Sequence, residues 1–350
     1  MAYALKSPAG CRSAQTGDPA VTEAVAAVIA DVRENGDDAV RRYSEKFDGW
    51  SPASFRLSDD DIARIVASVP TTVLDDIRFA QSQVRQFAQA QRDSIRDFEV
   101  QTLPGVFLGQ RSIPVRAAGA YVPGGRYPLT ASAHMTVLTA KVAGVERVAA
   151  TTPPSEGGPP PITVAAMYLA GADEIYVLGG VQAIAALALG TETIEPVDIL
   201  TGPGNAFVAE AKRQLYGEVG IDLFAGPTET LIVADEHADP FTVAVDLLSQ
   251  AEHGPDSPCV LITTSEAIGK AVLRCIDDLL PGMPTGEVAT AAWRDHGEVH
   301  VVDTLEEAYA MADSYAFEHV QVMTHEPRKA LDAMRDYGAL FLGDRTCVPY

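Results

Sequence analysis

The chain has 350 residues, a formal net charge of -22, 47% hydrophobic residues and 21% charged residues. That length carries two ordinary domains, and the acidic excess repels nucleic acid and anionic lipid, which excludes polynucleotide and membrane-surface partners. No run approaches the ~18 apolar residues of a membrane span, and the N-terminus Met-Ala-Tyr-Ala-Leu-Lys-Ser-Pro lacks the basic start and apolar core of a signal peptide.

The first hundred residues read as helices. Val21, Val25, Val28, Ile29 and Val32 form an apolar stripe that predicts a helix over 21–35, stopped by Gly36. A second short helix over 37–47 ends at Asp48-Gly49. Ser58 ahead of Asp59, Asp60 and Asp61 is an N-cap with a first turn suited to the helix dipole. A long Gln-rich helix follows over 70–96. After Pro104-Gly105 short β-branched runs alternate with Ala-rich helices. Strands are predicted over 147–151, 174–178, 197–200, 230–234, 259–263, 299–302, 320–323 and 340–342. Helices are predicted over 130–142, 162–170, 182–189, 206–216, 240–251, 266–280, 305–314 and 328–337. This βαβα rhythm means parallel sheets covered on both faces, in two blocks over roughly 114–228 and 229–350. Cys11, Cys259, Cys275 and Cys347 are too scattered for a disulfide scaffold or a zinc knuckle, and a reducing cytoplasm fits them.

Four glycine clusters adjoin predicted strand ends or helix starts: Tyr121-Val-Pro-Gly-Gly125, Gly179-Gly180, Gly202-Pro-Gly-Asn205 and Gly226-Pro227-Thr228. Glycine there lets backbone amides approach a ligand, and helix starts at Gln182 and Asn205 would offer N–H groups to a phosphate. None is a Walker loop or a Gly-x-Gly-x-x-Gly, and each alone is also an ordinary tight turn. Gln250 and His253, three residues apart at a helix end, share a face; imidazole is a good zinc donor and an amide oxygen a weaker one, but a helix-terminal histidine also serves as a cap. Glu318-His319 opens a strand and pairs a carboxylate with an imidazole suited to proton removal, although a solvated strand start reads the same way. His237, His296, His300 and His325 lie in polar surroundings and read as surface. His134 interrupts the Ala-rich segment after the first glycine turn and reads as a candidate substrate contact.

Taken together these runs resemble the histidinol dehydrogenase family over nearly the whole chain. The resemblance is carried by Tyr121–Gly125, by Gly179-Gly-Val-Gln-Ala-Ile-Ala-Ala-Leu-Ala-Leu-Gly-Thr191, Gly202-Pro-Gly-Asn-Ala-Phe-Val208 and Ala225-Gly-Pro-Thr-Glu229, and by Leu247-Leu-Ser-Gln-Ala-Glu-His-Gly-Pro-Asp-Ser257 and Glu318-His319. It implies two Rossmann-like parallel-sheet domains, over 114–228 and 229–350, with an N-terminal helical region, 1–113, packing with the second. It implies a homodimer, NAD contacts at Tyr121, Gln182 and Asn205, and one zinc ion per subunit held by Gln250 and His253, which also touch substrate. Glu318 and His319 would be the acid–base pair in oxidation of a primary alcohol through an aldehyde to a carboxylate.

Two departures qualify this. Thr228 stands where histidinol dehydrogenases usually carry a serine at a substrate contact, and Arg126 and His134 occupy a segment that is apolar in them. That segment is more similar to the sulfopropanediol dehydrogenase branch, and cationic donors suit a sulfonate; oxidation of 2,3-dihydroxypropane-1-sulfonate is therefore expected ahead of histidinol. Family members also continue past the position of Tyr350 with the aspartate and histidine that complete the zinc tetrad. The chain is accordingly expected to be a C-terminally truncated piece with two of four metal ligands. A non-catalytic metabolite-binding relative is the rival reading.

Overall fold

A computed structural model describes residues 2–9, 18–124, 129–223 and 228–346. They fall into two compact units, one formed by residues 15–224 and the other by 1–14 together with 225–350. Among the described residues no helix is long and apolar enough to cross a membrane.

The chain opens with β1 (Tyr3–Lys6), which belongs to the second unit, and the first unit then starts with α1 (Pro19–Asp48). Asp18 caps that helix, and Gly36 breaks it with φ 50° and ψ -131°, so the two predicted helices are one rod with a kink. Next come α2 (Asp59–Ser68), closed by a reciprocal Ser58/Asp61 capping box, and α3 (Thr71–Ser94). A hairpin, β2 (Phe98–Leu103) and β3 (Val106–Gln110), turns at Pro104-Gly105, with Gly105 at φ 81°. The sheet of this unit is built from β4 (Ala117–Tyr121), β5 (Arg147–Thr152), β6 (Glu174–Val177), β7 (Ile199–Thr201) and β8 (Gly220–Ile221). Between β4 and β5, α4 (Thr130–Ala133) runs through a π-helical turn at His134–Leu138 into α5 (Thr139–Ala143). The remaining helices are α6 (Pro161–Ala170), α7 (Gly180–Leu189) and α8 (Ala206–Leu215).

All pairs in this sheet are parallel and the order is β6-β5-β4-β7-β8, so the chain reverses its direction of growth between β4 and β7. Such a switch point opens a crevice at the carboxyl ends of its strands. α1 packs on α7 and α8, while α2 and α3 pack on α6 and α5. Helices α1 to α3 thus pack within the first unit, while β1 from the same N-terminal region joins the sheet of the second; the apolar stripe Val25, Val28, Ile29 and Val32 is buried with Ile184, Leu187 and Leu215.

The second unit holds β9 (Thr230–Ala234), α9 (Pro240–Ala251), β10 (Cys259–Thr263), α10 (Glu266–Leu279), α11 (Gly286–His296), β11 (Gly297–Val301), α12 (Leu305–Tyr315), β12 (His319–Met323), α13 (Ala330–Ala333) and β13 (Ala339–Leu342). Its order is β1-β11-β10-β9-β12-β13, the same parallel progression as the first sheet with β1 added antiparallel at one edge. Both sheets thus have the doubly wound, Rossmann-like arrangement.

The helix expected over 328–337 is shorter. A 3₁₀ turn at Pro327–Lys329 leads into α13, and the Asp313 carboxylate then takes the N–H groups of Arg335 and Asp336 at 3.1–3.2 Å, drawing the chain out of the helix. Strands β1 to β4 and helix α11 were not among the expected elements.

Candidate functional site

In the first unit the candidate residues gather at the carboxyl edge of the sheet. Tyr121 ends β4, Gln182 lies in the first turn of α7 after β6, and Asn205 follows β7. Tyr121 and Asn205 thus flank the switch point between β4 and β7. The backbones approach closely here: a Cβ on Gly202, which has φ 118°, would lie 2.1 Å from the Tyr121 carbonyl oxygen. The Tyr121 hydroxyl accepts the Gly180 N–H at 3.1 Å, and burial raises its pKa. Asn205 caps α8, its Oδ1 accepting from Phe207 and Val208 N–H at 3.1 Å. Those N–H groups are therefore satisfied, and the exposed Asn205 amide NH2 is what this helix start offers a ligand.

Gln182 is 1% exposed, and its Nε2 donates to Asp48 Oδ2 at 3.1 Å. Its Oε1 is buried with no hydrogen-bond partner among the described residues. A buried acceptor left unpaired costs about 1–3 kcal/mol, so this oxygen fits a donor group from a bound cofactor. NAD carries such donors in its ribose hydroxyls and carboxamide.

In the second unit the candidates lie at the opposite, amino edge. α9 runs back from the carboxyl end of β9, which brings its C-terminus to the level where β9, β10 and β12 begin. Gln250 is there, 2% exposed, with Oε1 buried and unpaired. The helix stops at Ala251, so His253 stands in the following turn, exposed, its N–H donating to the Gln250 carbonyl at 3.1 Å. A buried amide oxygen without a partner among the described residues fits a metal ion, and the exposed His253 imidazole three residues on is a nitrogen donor of the right type. Asp246, one turn earlier on α9, is half-buried, and burial raises its pKa; its Oδ2 accepts from Gln321 Nε2 at 2.9 Å.

His319 begins β12 and pairs in register with Thr230 and Ala339. Its Nδ1 lies 3.1 Å from the Glu229 carbonyl oxygen, and a carbonyl only accepts, so Nδ1 carries the proton. Nε2 is then the basic nitrogen, 3.9 Å from Glu318 Oε1. The Glu318 backbone is held from both sides: its N–H donates to Glu229 Oε1 at 3.1 Å and its carbonyl accepts from Ala339 N–H at 2.7 Å. Gly338 permits that approach, because a Cβ there would lie 2.7 Å from the Glu318 oxygen. Thr228 is half-buried just ahead of β9.

Arg126 lies outside the described residues. His134 is 5% exposed at the start of the π-helical turn, with Nδ1 3.3 Å from Gln81 Nε2. It lines a cleft of about 370 Å³ with Val73, Asp76, Ile77 and Ile162. Burial lowers its pKa, which disfavours the cationic donor expected for a sulfonate.

Three histidines read as surface have partners, of which His300 is half-buried and His237 and His325 are exposed. His300 Nε2 lies 2.8 Å from Glu298 Oε2, and the His325 ring lies 4.7 Å from that of His237. Asp235, at the carboxyl end of β9, binds the N–H groups of both His237 and His325. It therefore ties together the loops at the switch point of the second sheet. Asp48, Glu229, Asp246 and Gln321 were not singled out in the sequence; each acts through a partner far away in the chain.

The chain matches the histidinol dehydrogenase family model over residues 11–350. It belongs to that family. It is 59% identical to a histidinol dehydrogenase homolog of Shouchella clausii over 94% of this chain and 78% of the relative. It is 46% identical to the sulfopropanediol 3-dehydrogenase of Ruegeria pomeroyi over 94% of this chain and 76% of that enzyme. Among solved structures, histidinol dehydrogenase from Elizabethkingia anophelis superposes with a TM-score of 0.90 at 34% identity, covering 96% of this chain and 77% of that one. The protein is an oxidoreductase of this family acting on a CH–OH group.

Proposed function

We propose that the protein is an NAD-dependent, zinc-assisted dehydrogenase that oxidises a primary alcohol through the aldehyde to the carboxylate. The observation that carries this reading is the His319–Glu229 contact, which occupies Nδ1 and leaves Nε2 as the nitrogen that can take a proton at the edge of the second sheet. His319 removes the hydroxyl proton at Nε2 as the C–H hydride departs. Glu318, exposed and 3.9 Å away, steadies the resulting imidazolium and draws a proton from the water that adds to the aldehyde. Two NAD molecules bound in succession would each supply a hydride acceptor, one for the alcohol and one for the hydrated aldehyde, so that two NADH result. Zinc, when bound, orients the substrate oxygen and polarises it. Gln250 Oε1 and the His253 imidazole are the groups assigned to hold it, and Tyr121, Gln182 and Asn205 those assigned to the dinucleotide.

For the substrate we favour 2,3-dihydroxypropane-1-sulfonate. Support comes from Arg126, a fixed cation that suits a sulfonate and has no use toward cationic histidinol, and from Thr228 in place of serine. His134, whose cationic form burial disfavours, adds less to that support. Histidinol is the second reading, favoured by the 0.90 superposition on a histidinol dehydrogenase. NADH formation measured with each alcohol in turn separates them. Turnover of the sulfonate with little on histidinol supports the first reading, and turnover of histidinol alone removes it.

The homodimer expected of the family is proposed to use the β2–β3 hairpin, whose Phe98, Val100, Leu103, Phe107 and Leu108 are 49–65% exposed. So much apolar surface on a two-stranded ribbon calls for a partner.

A further inference from the structure

Asp48 is in an electrostatically poor place. It is the last residue of α1, where the helix dipole is negative, and it is half-buried, so desolvation raises its pKa. The fold nevertheless fixes it there. The Trp50 indole N–H donates to the Val177 carbonyl at 3.0 Å, pinning the end of α1 to the carboxyl end of β6. Ser44 Oγ donates to the Trp50 carbonyl at 2.7 Å, and Gly49 makes the left-handed turn between them with φ 60°. Asp48 Oδ2 thereby comes to 3.5 Å from where a Cβ on Gly179 would be.

The carboxylate only accepts, so the Gln182 group it meets at 3.1 Å is the NH2. The Gln182 amide is thus oriented, and its Oε1 becomes the buried, unpaired atom above Gly180, 2.8 Å from where a Cβ there would be. With the opposite amide orientation the same position would present a donor and repel the groups that the acceptor attracts. We infer that Asp48 is a positioning residue for the dinucleotide: it turns the Gln182 oxygen toward a hydroxyl or amide donor of NAD. Its charge also disfavours a phosphoryl group nearby, and hence a phosphorylated dinucleotide. This rests on the NAD reading above.

The test is calorimetric titration of NAD into the protein and its Asp48→Ala, Asp48→Asn and Gln182→Ala variants without alcohol, with melting temperatures recorded beside it. Asp48→Ala is expected to weaken NAD binding about 10- to 100-fold, the range of a lost charge-assisted bond. Its melting temperature should fall by no more than a few degrees, because removing a desolvated carboxylate offsets part of the cost of leaving the Gln182 NH2 without its partner. Asp48→Asn keeps an oxygen acceptor and should recover NAD binding to within a few-fold, while binding the 2′-phosphorylated dinucleotide more tightly than the unaltered protein does. Unchanged NAD binding in Asp48→Ala overturns the inference alone, as does Asp48→Asn binding no better than Asp48→Ala. A melting temperature so low that Asp48→Ala is partly unfolded at the titration temperature assigns Asp48 a merely structural role and also overturns it. No NAD binding by the unaltered protein overturns the cofactor reading and the inference with it.

Discussion

The Nδ1 of His319 lies 3.1 Å from the carbonyl oxygen of Glu229, the residue that enters the neighbouring strand. That contact decides which imidazole nitrogen is basic. His319→Gln keeps a donor for the carbonyl but has no base, and the expected result is a fall in kcat of about 10²- to 10⁴-fold with little change in KM for NAD. Steady-state kinetics check it. A kcat within a few-fold of the unaltered protein would remove His319 from the chemistry.

Gln250 offers a different signature. Gln250→Leu removes a buried oxygen that has no partner among the described residues, so the metal-free protein should melt at the same temperature or higher. Zinc per chain, measured by elemental analysis after dialysis against limiting metal, should fall sharply. Retained zinc would show that the oxygen is not a ligand.

Acid sensitivity follows from Glu210. Its carboxylate accepts from Arg213 Nε and Nη2 at 2.6 Å, and that bond lowers its pKa from 4.5 to about 2. A depressed carboxylate pKa stabilises the fold above the ordinary value and loses that contribution as pH falls through the folded one. Glu210→Gln is therefore expected to melt about 2–4 °C lower at pH 7. The gap should close progressively as the pH is lowered from 4.5 toward 2. Thermal melts across that window check it, and a gap that widens on acidification would contradict the assignment.

The hairpin makes an assembly prediction. Replacing Phe107 and Leu108 with serine should convert a dimer to a monomer in light scattering, while the melting of the first unit changes little, since both side chains are already exposed. An unaffected dimer would place the interface elsewhere.

Much of the fold was legible because apolar periodicity follows burial. The stripe from Val21 to Val32 and the β-branched strands Thr230–Ala234 and Cys259–Thr263 lie where their patterns put them. β4 escaped because its sequence, Ala-Ala-Gly-Ala-Tyr, has no strand propensity. Its small residues answer a packing demand instead: a Cβ on Gly119 would lie 3.0 Å from Val197 and 3.1 Å from Leu200. β2 and β3 escaped because neither buries a face, so no alternation marks them.

For the candidate site, motif order is what pointed to Tyr121, Gln182, Asn205, Gln250, His253, Glu318 and His319. The groups that orient two of them were not visible, since Asp48 and Gln182 are 134 positions apart and His319 meets Glu229 across 90. Only the fold brings such pairs together.

The most direct test of the account is the number of NADH formed per molecule of dihydroxypropanesulfonate consumed, by absorbance against quantified substrate in the presence of zinc. Two NADH, with the carboxylate as product and neither formed by His319→Gln, is the predicted result. One NADH with accumulated aldehyde, or NADH formation undiminished in His319→Gln, would contradict it.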